Sequence, residues 1–439
     1  MEKICLGLVG LGTIGTGVVK ILDENKELIK KRLGCTLAVK RICDLDITTD
    51  RGIRLEKGIL TTKVDDLLND PEISIIIELI GGIEPARSII VKAMERGKHV
   101  VTANKALLAH HGAELMESAF KHQVDIGFEG SVGGGIPIIR SIKEGLSANR
   151  INSILGILNG TANYILTKMT DEGGRFEEIL KEAQDKGFAE ADPSLDVDGI
   201  DTAHKLAILV SLCYGTRVKF ETIYTEGISR ITPLDIEYTK ELGYRIKLLA
   251  ISKGINNEIE ARVHPTLIPA NHLLSKVDGT FNAIFLTGDA VGSTLFYGRG
   301  AGKMPTASAV VGDIIEISRN ILKGIVQRVP TLSYQREAFQ EMKIKDISNI
   351  STRYYLRFTA LDQPGVLSKI SGILGKYGIS ISSVIQKGRQ AIEAVPIFML
   401  THEAKEANVR KALKEIDALP VTAGETMIIR IEDQFTLGE

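Results

Sequence analysis

A short apolar run, Ile4 to Val9, leads straight into Gly10-Leu11-Gly12-Thr13-Ile14-Gly15 and then into a helical pattern with Val18, Val19, Ile21 and Leu22 on one face. The order constrains the fold more than the glycines do. A nearly continuous apolar run suits a strand buried on both faces. A G-x-G-x-x-G between such a strand and a helix is a phosphate-binding turn: Gly10 permits the tight bend, Gly12 lets the backbone approach a pyrophosphate, and Gly15 lets helix and strand pack closely. The helix N-terminus offers free N–H groups and the positive end of the dipole. A plain strand-to-helix turn without a ligand is the competing reading, and the flanking pattern disfavours it.

The alternation continues to about residue 130. Strands are expected at 4–9, 37–43, 73–80, 98–102 and 124–128, with helices near 15–31, 85–96 and 106–121. This pattern predicts a parallel sheet with helices on both faces, whose ligands sit beyond the carboxyl ends of the strands. Gly10–Gly15, Gly81-Gly82, Ala103-Asn104-Lys105 and Glu129–Gly135 all follow strand ends. From about 130 to 320 helices dominate first and strand-like runs follow, including 248–252, 259–263, 283–286 and 292–296, as in an α+β substrate domain. A mixed, charged stretch near 327–350 reads as a connector. The last ninety or so residues follow the order βαββαβ, a ferredoxin-like unit, with the turn Asp362-Gln363-Pro364-Gly365 between its first strand and helix. The expected fold class is therefore α/β, with a Rossmann-type dinucleotide-binding domain at 1–130, an α+β substrate and dimerisation domain at 131–325, a linker at 326–350 and a ferredoxin-like domain at 351–439. The helix after Pro305 is left open to return to the first domain.

The 439 residues suit about three domains, and 44% hydrophobic with 25% charged residues is an ordinary globular balance. A net charge of -1 removes the broad attraction that nucleic acid or anionic membrane binding draws on. Cys5, Cys35, Cys43 and Cys213 show no C-x-x-C and no metal-like spacing with histidine, as expected of core thiols in a reducing compartment. His110-His111 is expected as a surface pair on a helix. The apolar start carries Glu2 and is cut by glycines, which reads as a first strand rather than a signal peptide. No apolar stretch is long enough to span a bilayer. A cytoplasmic location is expected.

Chemistry concentrates at 187–212. Asp201 and Lys205 are four apart and share a helical face. Alone they could be a surface salt bridge, but Ala203, Leu206, Ala207, Ile208, Leu209, Val210 and Leu212 make the helix apolar on nearly every side. Lysine and aspartate are seldom buried without a paired or functional reason, so structural pair and proton-handling site both stay open. Lys105, after Thr102-Ala103-Asn104 at a strand end, is either a cofactor or substrate contact or a surface charge, and lysine is a poor choice for that end of a helix dipole. Glu129-Gly130-Ser131-Val132-Gly133-Gly134-Gly135-Ile136-Pro137 combines a carboxylate with exposed backbone carbonyls. It is a hard-cation site, an anion-binding nest or a flexible turn.

Taken together these residues resemble homoserine dehydrogenase over nearly the whole length. The carriers are Gly10–Gly15, Thr102–Lys105, Glu129–Pro137, the run Gly156-Ile157-Leu158-Asn159-Gly160-Thr161-Ala162-Asn163-Tyr164-Ile165-Leu166, the segment Glu190-Ala191-Asp192-Pro193 through Asp201 and Lys205, and Gly300–Val310 with Pro305-Thr306-Ala307-Ser308-Ala309. The resemblance implies NAD(P)-dependent interconversion of L-aspartate 4-semialdehyde and L-homoserine. It implies Lys205 as proton donor, Asp201 as the acid beside it, Glu190 as a substrate-amine ligand, and Lys105 near nicotinamide and substrate. It implies cofactor contacts at Gly10, Gly12, Thr13, Ile14, Gly15, Arg41, Thr102, Lys105 and Gly302, and a sodium ion on Glu129, Val132, Gly134 and Ile136. Asp44 and Asp46 after the second strand argue for NAD, whereas Arg41, Arg51, Arg54 and Lys57 could hold a 2′-phosphate; the balance leans to NADP. The C-terminal unit resembles an ACT domain, which implies an amino-acid effector, threonine, and a homo-oligomer, dimer or tetramer. Two rivals remain: a phosphorylating semialdehyde dehydrogenase, which needs a cysteine nucleophile, and a non-enzymatic cofactor-sensing regulator.

Overall fold

The computed structural model describes residues 3–255, 257–386 and 394–433. The chain divides into two compact units, Met1–Leu158 with Asp201–Glu221 and Phe281–Met342, and Asn159–Ile200 with Thr222–Thr280 and Lys343–Glu439.

The first unit is built on a six-stranded parallel sheet. Its spatial order is Leu60–Thr61, Thr36–Cys43, Lys3–Val9, Ile73–Glu78, His99–Thr102, Ile126–Gly127. The order reverses between Lys3–Val9 and Ile73–Glu78, the switch point at which open α/β sheets bind ligands. Ile4 through Val9 are all buried, because helices cover both faces. The helical stretch expected near 15–31 is two helices, Thr13–Glu24 and Lys26–Leu33, broken at Asn25 with φ -101° and ψ 14°. Asparagine competes with helix backbone for hydrogen bonds, and the break turns Ile29 and Leu33 back onto the core. The strand expected at 124–128 is reduced to Ile126–Gly127.

Helix Lys303–Lys323 also belongs to this layer. Its Ala307, Val310, Val311, Ile314 and Ile317 join Ile4, Leu6, Leu8, Val18 and Ile75 in one core. It lies against Thr13–Glu24 so closely that a Cβ on Gly17 would stand 2.9 Å from both the Ala307 Cβ and the Lys303 carbonyl oxygen. An antiparallel three-stranded sheet, Ile151–Ile157, Phe281–Gly288 and Gly292–Arg299, completes the unit.

The second unit carries the helices Gly160–Glu172, Phe176–Asp185 and Pro233–Glu241 and a long hairpin, Tyr244–Ile255 with Glu258–Pro269. The strand-like runs at 248–252 and 259–263 are only the buried middles of these strands. Its remainder is a βαββαβ unit: Ser351–Leu361, Val366–Lys376, Ile381–Gln386, Ala394–Thr401, Glu406–Asp417 and Met427–Ile431. Met427–Ile431 pairs antiparallel with Ser351–Leu361 and parallel with the hairpin strand at Thr266↔Arg430 and Leu267↔Ile431. Hairpin and ferredoxin-like sheet are thus one surface. At the seam Arg430, 1% exposed, donates to both carboxylate oxygens of Glu406 at 2.9 and 2.7 Å and to Glu226 at 3.0 Å. No helix among the described residues is long and apolar enough to cross a membrane.

Removing one member of a buried charge pair leaves the other unpaired in the interior, at a cost of about 3–5 kcal/mol. Arg430→Ala should lower the unfolding free energy of this unit by that amount in denaturant titrations; a loss below about 1 kcal/mol, the range of an exposed pair, would show that the seam does not depend on it.

Candidate active site

The glycine turn has the spatial demands that its spacing predicted. Gly10 has φ +98° and its N–H donates to the Cys43 carbonyl at 2.9 Å. A Cβ on Gly15 would lie 2.1 Å from the Gly10 carbonyl oxygen, whereas a Cβ on Gly12 would meet nothing within 4 Å. Two glycines therefore close the turn and the middle one leaves an open face. Gly12 caps helix Thr13–Glu24 without a side-chain hydrogen bond, and Thr13 is exposed beside half-buried Ile14. The first N–H groups of the helix need acceptors, and a pyrophosphate supplies them. Gly302, φ +118°, begins helix Lys303–Lys323, whose first turn lies against Gly17. A second helix start thereby comes close to the glycine turn.

Beyond the second strand, Asp44 accepts from the Leu11 N–H at 2.5 Å and the Asp46 N–H at 2.9 Å and pairs with Arg51 at 3.4 Å. Arg51 also donates to the Asp46 carbonyl at 2.8 Å, while its buried Nε has no partner among the described residues. Arg41 donates to the Gly58 carbonyl at 2.6 Å.

Glu78, the last residue of its strand and fully buried, carries no motif that the sequence reading used. Its carboxylate accepts from the Thr102 hydroxyl at 2.7 Å, the Ile80 N–H at 2.9 Å and the Gly81 N–H at 3.2 Å. Asn104 continues the clamp. Its Oδ1 caps the following helix by accepting from the Leu107 N–H, and its Nδ2 donates to the Gly82 carbonyl at 2.6 Å. The Thr102 side chain is thus spent inside the protein, holding two loops at the carboxyl edge of the sheet. A lone acid ending an isoleucine-rich strand was the available signal.

Lys105, Asp201 and Lys205 meet. The Lys205 Nζ donates to Asp201 Oδ2 at 2.7 Å and to the Leu158 carbonyl at 2.6 Å. Lys105 forms an ion pair with Asp201 Oδ1. The Asp201 and Lys205 side chains are 4% and 8% exposed, that of Lys105 44%. Asp201 and Lys205 lie on helix Ile200–Tyr214, in which twelve of the fifteen residues are buried. Burial would raise the Asp201 pKa, but the Lys205 and Lys105 charges outweigh it and hold the carboxyl well below the usual carboxylate range. The carboxylate therefore stays ionised between two ammonium groups. The Leu158 carbonyl, just past strand Ile151–Ile157, was not foreseen because a backbone acceptor has no residue-type signature. Glu190 lies in the second unit, exposed, on the turn after helix Phe176–Asp185.

On helix Lys105–Lys121, beside half-buried His111, His110 is exposed as expected. It turns toward His204 and Phe220, with ring centroids at 5.3 and 4.9 Å. His111 remains near Glu114 at 3.4 Å. Burial, aided by the nearby His110, pushes the His204 pKa down to about 4.

In the loop after Phe128, the Glu129 carboxylate accepts from the N–H groups of Ile139 and Arg140 at 2.9 and 2.8 Å. Its own N–H donates to Asp313 at 2.8 Å. Burial raises the Glu129 pKa, and burial with the Glu129 charge pushes Asp313 up to about 7. The Ile136 N–H closes onto the Gly133 carbonyl and the Gly135 N–H reaches the Arg299 carbonyl, whereas the Val132 and Gly134 carbonyls accept neither bond. No group of three or more His, Cys, Asp or Glu among the described residues could hold a metal ion. The loop instead offers one carboxylate, already accepting two backbone N–H groups, and backbone oxygens, of which that of Ile136 accepts from the Ile138 N–H at 2.8 Å; oxygen donors of this kind fit a hard cation of low charge.

The Asn159–Leu166 run holds the second unit together. Asn159 caps helix Gly160–Glu172 through the Ala162 N–H and donates to Asp196 at 2.6 Å. The Thr161 hydroxyl donates to the Phe188 carbonyl, and Asn163 donates to the Val277 and Gly279 carbonyls while accepting from buried Lys247. All four cysteines are free and buried, and burial raises the thiol pKa of Cys35, Cys43 and Cys213. None is an activated nucleophile, which removes the phosphorylating dehydrogenase rival.

Comparison with known proteins gives three family matches. Residues 10–129 match the family model described as homoserine dehydrogenase, NAD binding domain; residues 137–315 match homoserine dehydrogenase; and residues 354–421 match the ACT domain. The homoserine dehydrogenase of Pseudomonas aeruginosa is 44% identical, the match covering 98% of this chain and 99% of that one. Among solved structures, a homoserine dehydrogenase from Thiobacillus denitrificans is 48% identical with TM-score 0.93 over 99% of both chains. A hyperthermophilic archaeal homoserine dehydrogenase is 27% identical with TM-score 0.62, covering 74% of this chain and 100% of that one.

The buried imidazole gives a pH-dependent stability. Folding lowers the His204 pKa to about 4, whereas the unfolded chain takes up that proton near pH ~6.5. Between these values the unfolded state binds more protons, so stability falls as pH drops from about 6.5 toward 4. His204→Gln should flatten the profile in that window when unfolding free energy is measured against pH; parallel profiles would contradict the burial argument.

Proposed function

The chain belongs to the homoserine dehydrogenase family, and from that premise we propose how its residues divide the work. It is an NAD(P)-dependent oxidoreductase that interconverts L-aspartate 4-semialdehyde and L-homoserine, and it carries a C-terminal ACT domain. The reduced nicotinamide, when bound, supplies the hydride that goes to the aldehyde carbon. The chain must then deliver one proton to the carbonyl oxygen, and Lys205 is the donor. Its ammonium is held on two sides, by Asp201 and by the Leu158 carbonyl, so its direction is fixed before substrate arrives; such preorganisation lowers the barrier without reorganisation during reaction. Asp201 stays anionic, keeps Lys205 aimed and bonds Lys105. Lys105, the more exposed lysine of the cluster, contacts substrate and cofactor, and Glu190 takes the substrate amine. In the reverse direction Lys205 accepts the alcohol proton. The observation that carries this reading is the two-lysine, one-aspartate cluster on an apolar helix.

For the cofactor we assign Gly10, Gly12, Thr13, Ile14 and Gly15 to the pyrophosphate, Gly302 to the facing helix start, and Thr102 to the loop beneath the ring. NADP is favoured over NAD. Asp44 is already engaged by Leu11, Asp46 and Arg51, and the unpartnered Arg51 Nε with Arg41 suits a 2′-phosphate. The archaeal relative is described in complex with NADPH. A sodium ion would be held by Glu129, Val132, Gly134 and Ile136, where its charge would stiffen the loop. Threonine would act at the ACT domain. There Gly365, φ +87°, opens helix Val366–Lys376 without a side-chain cap, which leaves N–H groups for a carboxylate. The functional modules are 1–130, 131–325, 326–350 and 351–439, in a cytoplasmic homo-oligomer, dimer or tetramer.

Lys205→Ala should reduce kcat by about 10²–10⁴-fold, the span of general acid catalysis, with NADPH affinity unchanged within about threefold. Retention of near-wild-type kcat would move the proton to another residue. Activity titrated with L-threonine tests the effector, and an unchanged rate and assembly state would remove it.

A further inference from the structure

Asn282 lies second in strand Phe281–Gly288 and is 1% exposed. Neither Oδ1 nor Nδ2 of its carboxamide has a hydrogen-bond partner among the described residues, and both are shut off from solvent. A buried carboxamide with donor and acceptor both unmet is unusual and costly, so its place in the fold matters. The neighbouring pair in the register is Ala283↔Ile157; continuing that antiparallel ladder sets Asn282 opposite Leu158, whose carbonyl holds Lys205. On the other side the register pairs it with Gly298, and its carboxamide packs against Gly300, two residues further on. A Cβ there would stand 2.0 Å from the Asn282 Cγ and Nδ2 and 2.5 Å from Oδ1. The same Gly300 peptide is pressed from elsewhere by Gly134, where a Cβ would stand 2.5 Å from the Gly300 carbonyl oxygen. Two residues later comes Gly302, at the start of the helix that lies against the glycine turn. The orphaned amide thus sits where the lysine's anchor strand meets the turn at residues 300–302.

We propose that Asn282 is a positioning residue, a latch whose carboxamide takes its hydrogen bonds from peptide groups of Gly300-Ala301-Gly302 once that turn has closed on the bound cofactor. This rests on the cofactor assignment of Gly302. A carboxamide suits the task because a peptide offers it one donor and one acceptor, matching its own acceptor and donor. The unmet donor and acceptor of this carboxamide favour an arrangement in which the turn supplies their partners, and cofactor binding selects that arrangement.

The test uses the full chain with NADPH as probe. Asn282→Leu keeps the volume and removes both polar atoms. Its ligand-free Tm should equal or exceed that of the wild type, the rise in Tm on adding NADPH should shrink, and KM for NADPH should increase at least tenfold. A merely structural amide would instead lower the ligand-free Tm and leave KM of the folded fraction unchanged, and that result overturns the proposal. Wild-type KM with a wild-type NADPH shift overturns it too. Should the leucine variant fail to fold, a second route remains. Gly300→Ala drives a methyl into the amide and should lower the Tm; adding Asn282→Ala clears the space and should restore the Tm without restoring KM for NADPH. Recovery of both would refute the latch. Wild-type oxidation of L-homoserine with NADP, run alongside, distinguishes failure of the reaction assignment, since the NADPH-induced Tm shift reads the latch without turnover.

Discussion

The site depends on one buried carboxylate holding two cations. Helix Ile200–Tyr214 places Asp201 and Lys205 in surroundings that would reject either alone, since taking an isolated ion out of water costs several kcal/mol. Together, with the Leu158 carbonyl taking a further ammonium proton, they form a satisfied group. Asp201 spends its second oxygen on Lys105, which ties the helix following strand His99–Thr102 to helix Ile200–Tyr214. The first unit is assembled from three separate stretches of chain, and this cluster joins two of them through residues 105, 158, 201 and 205.

Close backbone approach is the second organising constraint. Gly15 against the Gly10 carbonyl, Gly17 against Lys303 and Ala307, and Gly134 against the Gly300 carbonyl are places where a methyl group would lie 2.1–2.9 Å from another atom. They run from the first turn of the chain to the start of helix Lys303–Lys323. They bring two helix starts close together, so N–H groups from both can serve one ligand. Glu78 supports the same edge from beneath, because its carboxylate fixes both the Ile80–Gly81 backbone and the Thr102 hydroxyl.

Much of this was legible in the residues. Strand, glycine turn and helix at 4–22 identify a dinucleotide fold because each glycine answers a separate steric demand. The βαββαβ order of the last ninety residues follows from periodicity and turn residues alone. What escaped has a common cause. The Leu158 carbonyl is backbone, Glu78 looks like the polite end of a strand, and Asn282 is one polar residue in an apolar run; each matters through partners tens to hundreds of positions away. His110 reads as a surface residue and is one, but its ring contacts with Phe220 and His204 come only with folding. The break at Asn25 depends on the core to which the second helix must return. Asp201 and Lys205 were visible as a pair, but only packing decides that the pair is buried rather than solvated.

The strand pairing of Glu258–Pro269 with Met427–Ile431 also bears on how the protein can be dissected. Cutting away the C-terminal segment would uncover part of the hairpin strand at Thr266 and Leu267. It would bare backbone donors and acceptors along the hairpin's outer strand, together with Glu226 stripped of Arg430, on a surface built to be covered. Raw edges of that kind recruit other chains, so a shortened protein would be prone to self-association.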